Sequence, residues 1–158
     1  MFTGIIQQTG KLKNSKSALG QNTIITYLDM FDCKVGASIC CDGICLTITK
    51  IQKTTNDQYE FLVDISEETY ERSSLKYWDN NKLINLEKSL KVGQDISGHF
   101  VYGHIDITTR LLEIKKLDSS WKYVFSKSNF KNEKNYSKFI VEKGSIAING
   151  ISLTVANV

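Results

Sequence analysis

Apolar residues along most of this chain recur at every second position rather than at helical spacing. After Gly43, Ile44, Leu46 and Ile48 alternate with Cys45, Thr47 and Thr49, and a period of two sends the two sets to opposite faces of a strand. Comparable β-branched and aromatic runs predict strands at Ile5–Leu12, Thr23–Leu28, Ser38–Cys41, Ile44–Ile51, Tyr59–Val63, Leu83–Leu86, Phe100–Glu113, Lys122–Ser126, Ser145–Ile148 and Ile151–Val155. Helical spacing is confined to two short stretches. Ser66 can cap a helix whose first turn holds Glu67 and Glu68, where acidic side chains are favourable, and a second runs from about Tyr136 and ends at Gly144. The predicted class is all-β with minor helix.

The pattern also repeats. Ser38-Ile-Cys-Cys-Asp-Gly-Ile-Cys-Leu-Thr47 aligns without gaps to Ser145-Ile-Ala-Ile-Asn-Gly-Ile-Ser-Leu-Thr154 at an offset of 107. Upstream, residues 1–12 align more weakly to residues 100–111 at an offset of 99, with Gly4 matching Gly103. A repeat in preserved order implies two copies of one supersecondary unit, here residues 1–97 and 98–158. The first copy continues for about fifty residues past its Asp-Gly block and the second stops at Val158. A sheet left open there exposes unpaired edges, so the expectation is a second unit that is only partly present.

Each repeated block centres on a dipeptide, Asp42-Gly43 or Asn149-Gly150, that accepts positive φ at both central positions of a type I′ turn. Two hairpins follow. In the first, one strand face is apolar and the other lines up Cys45 and Thr47; in the second, Ser152 and Thr154 take those places. A lone Cys is most often a packing residue, and a lone Thr is simply a good strand former. Persistence of the polar face through the repeat is what marks it as a ligand face. The two histidines, His99 and His104, both lie in Gly98-His-Phe-Val-Tyr-Gly-His104 at the junction between copies. Histidine is the side chain best suited to moving protons near neutral pH, although a single one more often serves structure.

Bulk composition narrows the classes without naming a partner. Twenty basic and 17 acidic residues give a net charge of +3, spread along the chain, which lacks the basic stripe that nucleic acid or an anionic membrane needs. No signal-peptide pattern opens the chain and no apolar run approaches a membrane span, so a cytoplasmic location is expected. Cys33, Cys40, Cys41 and Cys45 contain no CxxC pair and no clustered His, which disfavours zinc and a disulfide framework and leaves reduced thiols.

Four segments together carry a family resemblance: Met1-Phe-Thr-Gly-Ile5, Asp42-Gly-Ile-Cys-Leu-Thr47, Gly98-His-Phe-Val-Tyr-Gly-His104 and Gly150-Ile-Ser-Leu-Thr154. In that order, within the repeat, they resemble the riboflavin synthase family along the whole chain. The resemblance implies two six-stranded Greek-key barrels, a homotrimer, and active sites between the first barrel of one subunit and the second barrel of a neighbour. It implies no metal or redox cofactor. The implied reaction converts two molecules of 6,7-dimethyl-8-ribityllumazine to riboflavin and a ribitylaminopyrimidine by moving a four-carbon unit, and the implied protein partner is lumazine synthase.

Matched motif by motif, the resemblance implies that one lumazine meets Gly4, Ile5, Ile6, Cys45, Leu46, Thr47 and the segment Asp64, Ile65, Ser66, Glu67, Glu68, Thr69. The other would meet Gly103, His104, Ile105, Lys143, Ser152, Leu153 and Thr154, with Phe2 and Thr3 near the reacting pair. The lumazine 7-methyl group is acidic because its carbanion delocalises into the ring, and His104 is the residue that would take its proton. Cys45 is placed to help add a nucleophile at C7 of the partner molecule, a role open also to water or a ribityl hydroxyl. Holding two rings face to face accounts for much of the expected acceleration. Asn149 stands where the family commonly has Asp, and Tyr102 where a smaller residue is usual. A non-catalytic lumazine- or flavin-binding relative is the alternative, with a small nucleic-acid-binding barrel behind it.

Overall fold

The computed structural model describes residues 1–13, 18–127 and 136–158. The alternating segments of the first copy become six strands: β1 (Gln8–Lys13), β2 (Gly20–Thr26), β3 (Ser38–Cys41), β4 (Ile44–Lys53), β5 (Tyr59–Ile65) and β6 (Leu83–Lys88). All pair antiparallel in the order β1-β2-β5-β4-β3-β6, and β6 returns to β1 to close a barrel. Closure removes the unpaired edges an open sheet would present. The period-two reading holds in β4, where Ile44, Leu46 and Ile48 are buried while Cys45 is half-buried and Thr47 and Thr49 face solvent. With Leu12, Ile24, Ile39, Phe61, Val63, Ile84 and Leu86 they fill the barrel.

Helix α1 (Glu67–Arg72) follows β5, capped as its sequence predicts by Ser66 Oγ accepting from the Thr69 backbone N–H. A short 3₁₀ turn, Ser74–Tyr77, then drops Leu75 into the core. Both turn residues expected to take positive φ do so, Asp42 at 49° and Asn149 at 47°.

Among the described residues, the second copy forms two separate hairpins, not a closed barrel. Strand β7 (Leu111–Lys116) pairs with β8 (Trp121–Phe125), and β9 (Ser145–Ile148) pairs with β10 (Ile151–Thr154). Leu111, the repeat counterpart of the buried Leu12, is exposed here, as are Leu112 and Trp121.

Three predicted elements change. The strand expected over Phe100–Glu113 is regular only from Leu111. Val101 leaves it to form a single bridge with Phe2, and the Gly103 carbonyl accepts from the Cys45 N–H. Those backbone groups are satisfied across the repeat instead of along a ladder. The strand expected from Ile5 starts at Gln8 for the matching reason, since Phe2 and Gly4 are bonded to the second copy. The helix expected from Tyr136 to Gly144 shortens to a 3₁₀ turn, Tyr136–Phe139. Lys143 at φ 65° gives its N–H to the Val155 carbonyl, which ends any helical run.

Candidate functional site

The two copies meet about a local pseudo-twofold. Repeat partners Phe2 and Val101 exchange both backbone hydrogen bonds, at 2.7 and 3.0 Å. The Gly4 carbonyl accepts from Ser152 N–H, and its partner Gly103 accepts from Cys45 N–H, each at 2.8 Å. The turn glycines Gly43 and Gly150 touch. Asn85 on β6 braces them: its N–H donates to Asp42 Oδ1 at 2.8 Å and its side-chain amide donates to the Asn149 carbonyl at 3.0 Å. Burial holds the Asp42 carboxyl above its ordinary range, and the Asn85 N–H opposes that shift.

This symmetry exchanges the arms of the two units. The segment Gly103-His104-Ile105, from the second copy, lies on the first barrel, and Gly4 and Ile6, from the first copy, lie against the second hairpin. Ile105 packs on the first barrel's core. Ile6 reaches the Gly150 turn. Both crossing glycines have φ of 78°, and a Cβ on Gly103 would sit 2.6 Å from the Cys45 Cβ. Contact that close is available only to a residue without a side chain.

Where the arm crosses, a cavity of about 450 Å³ opens between the first hairpin, α1 and the second copy's segment. It is lined by Ile44, Cys45, Glu68, Thr69, Arg72, Gly103, His104 and Ile105. That volume lies within the range of small-molecule sites. It combines apolar walls, a thiol, an imidazole and an acid–base pair in which Arg72 Nε donates to Glu68 Oε1 at 3.1 Å.

Six residues expected from sequence therefore come together here: Cys45, Glu68, Thr69, Gly103, His104 and Ile105. Their grouping differs from the expected one, because Gly103, His104 and Ile105 join Cys45 rather than Ser152. Leu46 and Ile65 are core residues whose side chains point into the barrel. Thr47, Asp64, Ser66 and Glu67 are exposed and stand outside the cavity's lining. Ser152 is on the opposite side of the pseudo-twofold, with Gly4 against it and its Oγ 2.7 Å from His99 Nδ1. Leu153 and Thr154 share its strand; Ile5 is exposed beside Gly4, and Lys143 is exposed just before β9 with its N–H on the Val155 carbonyl.

Phe2 and Thr3 are buried and do not line this cavity. Phe2 is fully buried against Cys40, Val101 and Cys45. Thr3 gives both its N–H and its hydroxyl to Glu87 Oε1, at 2.6 and 2.8 Å, and Gly4 N–H donates to Glu87 Oε2 at 3.0 Å. Glu87 is itself buried on β6. Sequence reasoning missed Glu87, Arg72 and Asn85 as members of these arrangements, and it singled out His99 at the junction without giving it a partner. Of the three missed, only Arg72 carried a readable signal, its i,i+4 spacing from Glu68 on a capped helix.

The cysteines are all free thiols. Cys41 points into the core and its thiol is pushed well up by burial. Among the described residues no helix is long and apolar enough to cross a membrane.

The model of the lumazine binding domain matches twice, over residues 3–89 and 102–158. The riboflavin synthase of Brucella abortus (strain 2308) is 33% identical over 161 residues, covering 100% of this chain and 77% of that protein. That of Chlamydia trachomatis serovar D is 37% identical over 160 residues, covering 100% and 73% respectively. Among solved structures, LumP complexed with riboflavin superposes with a TM-score of 0.72 at 19% identity, covering 98% of this chain and 79% of that one. At that identity the match speaks for the fold. The doubled domain match and the identity to these enzymes over the whole of this chain establish that it belongs to the lumazine binding domain family, in its riboflavin synthase branch.

Proposed function

We infer that this chain catalyses the riboflavin synthase reaction, in which two molecules of 6,7-dimethyl-8-ribityllumazine yield riboflavin and 5-amino-6-ribitylamino-pyrimidinedione. One observation carries the chemical reading: a single cavity unites Cys45 of the first unit with His104 of the second. A lumazine there would lay its ring face along Ile44 and Ile105 and meet Glu68, Thr69 and Arg72 with its carbonyl, ring N–H or ribityl groups. His104 would exchange the proton of the 7-methyl group. Cys45 would assist addition at C7, the step that makes the partner ring electrophilic.

The second lumazine would take the pseudo-symmetric position beside Gly4, Ile5, Ile6, Lys143, Ser152, Leu153 and Thr154. Phe2 and Thr3 then serve as struts that set the spacing of the two arms. We further propose a homotrimer in the cytoplasm, with reaction between the first unit, 1–97, of one subunit and the second, 98–158, of a neighbour, and association with lumazine synthase; the family resemblance supports the trimer and the shared site. Incubation of the protein with the lumazine should produce growing flavin fluorescence. Saturable lumazine binding with no flavin formed would favour the non-catalytic reading instead.

A further inference from the structure

Strands β3 and β4 set Cys40 directly opposite Cys45 in register. The Cys45 N–H is turned outward to the Gly103 carbonyl, so this is a non-hydrogen-bonded antiparallel pair. That is the narrower kind, with Cα atoms about 4.5 Å apart and side chains on one face. The spacing lies inside the range of about 4.4–6.8 Å that a disulfide spans. Cys40 and Cys45 share a cluster with Phe2 and Val101, while Cys41, next along β3, points the other way into the barrel core. Cys45 also faces the cavity and is reachable from it. We propose that Cys40 and Cys45 form a dithiol oxidised by hydroperoxides, closing to a cross-strand disulfide that withdraws the Cys45 thiol from the cavity.

The order of events follows from access and charge. Burial, with the Glu87 carboxylate adding to it, pushes the Cys40 thiol up to about 12, so Cys40 is the resolving sulfur and the reachable Cys45 reacts first. Cys45 Sγ attacks the terminal peroxide oxygen, the O–O bond breaks, and an alcohol, or water from hydrogen peroxide, leaves with the thiol proton. Cys45 is then a sulfenic acid. Cys40 Sγ attacks Cys45 Sγ, the S–O bond breaks, and hydroxide leaves as water with the Cys40 proton. Two sulfurs lose two electrons together and one peroxide gains them. This chemistry does not depend on what the cavity binds.

Trypsin releases Val35–Lys50, which contains Cys40, Cys41 and Cys45 and no internal Lys or Arg. After hydrogen peroxide treatment and alkylation in denaturant, the unreduced peptide should lack two hydrogens, about 2 Da, and carry one alkyl group, at Cys41. Dithiothreitol before alkylation should restore three alkylated cysteines. Cys41→Ala should still lose the two hydrogens; Cys40→Ala should not, and should accumulate oxygen at Cys45. A wild-type peptide that keeps three alkylated cysteines, or only gains oxygen at Cys45, overturns the proposal. So does loss of two hydrogens in Cys40→Ala.

Discussion

The Glu87 carboxylate offers the sharpest test of how the two units are held together. It is 3% exposed and accepts from Thr3 N–H, Thr3 Oγ1–H and Gly4 N–H at 2.6, 2.8 and 3.0 Å. Those residues carry the arm whose next bond, Ser152 N–H to the Gly4 carbonyl, reaches the second hairpin. Truncation to alanine leaves three donors facing a void, and each unsatisfied buried donor costs about 1–3 kcal/mol. Water entering the vacated space recovers part of this, and effects within one network are not additive. The net destabilisation of Glu87→Ala should be about 2–4 kcal/mol. Glu87→Gln keeps one carbonyl oxygen for Thr3 but turns an amide donor toward Gly4 N–H, which places it between wild type and alanine, at about 1–2 kcal/mol. Urea unfolding followed by tryptophan fluorescence and circular dichroism would measure both, provided the slope is unchanged between variants. Alanine within about 0.5 kcal/mol of wild type, or glutamine worse than alanine, would refute a clamp built on acceptance by the carboxylate.

Gly103→Ala should strain a residue at φ 78° and drive a Cβ to 2.6 Å from that of Cys45. With the Cys45–Gly103 hydrogen bond weakened as well, the expected loss is about 2–3 kcal/mol, together with weakened lumazine binding by fluorescence titration; unchanged affinity would contradict the arm's place in the site. His104→Gln should slow flavin formation by about 10²-fold or more, with much smaller change in lumazine affinity; near-normal turnover would remove His104 from the proton transfer. Asp32 accepts from Lys88 at 2.8 Å and pairs with Lys91, and these hydrogen bonds lower its carboxyl from the ordinary 3.8 to about 2. A depressed folded-state value stabilises above the unfolded value and is lost as pH falls through the folded one. Asp32→Asn should therefore cost up to about 1 kcal/mol near neutral pH, the pair being partly exposed, and its urea midpoint should converge on wild type between pH 3.8 and about 2. A gap constant across that window would contradict the assignment.

What could be read from the chain alone were features set by local chemistry. Alternation identified the faces of β4, Asp-Gly and Asn-Gly identified both turns, and Ser66 identified the start of α1, because each depends on side chains within a few residues. The repeat further determined that whatever one hairpin does, the other must meet an equivalent surface. Tertiary structure alone decided how the two copies pair. Nothing in the local pattern says that the Gly103 carbonyl accepts a hydrogen bond from the Cys45 backbone N–H instead of from a neighbour in its own unit, since any strand leaves its outward backbone groups to whichever partner arrives. The crossing moved His104 and Ile105 onto the first barrel and sent Gly4 to Ser152, and it cut short the strand expected from Phe100. Glu87 was hidden for the same reason: a lone acidic residue in an alternating strand reads as solvent-facing until the folded arm supplies its three donors. Local sequence named the parts of the polar face, and long-range backbone pairing decided which of them share a cavity.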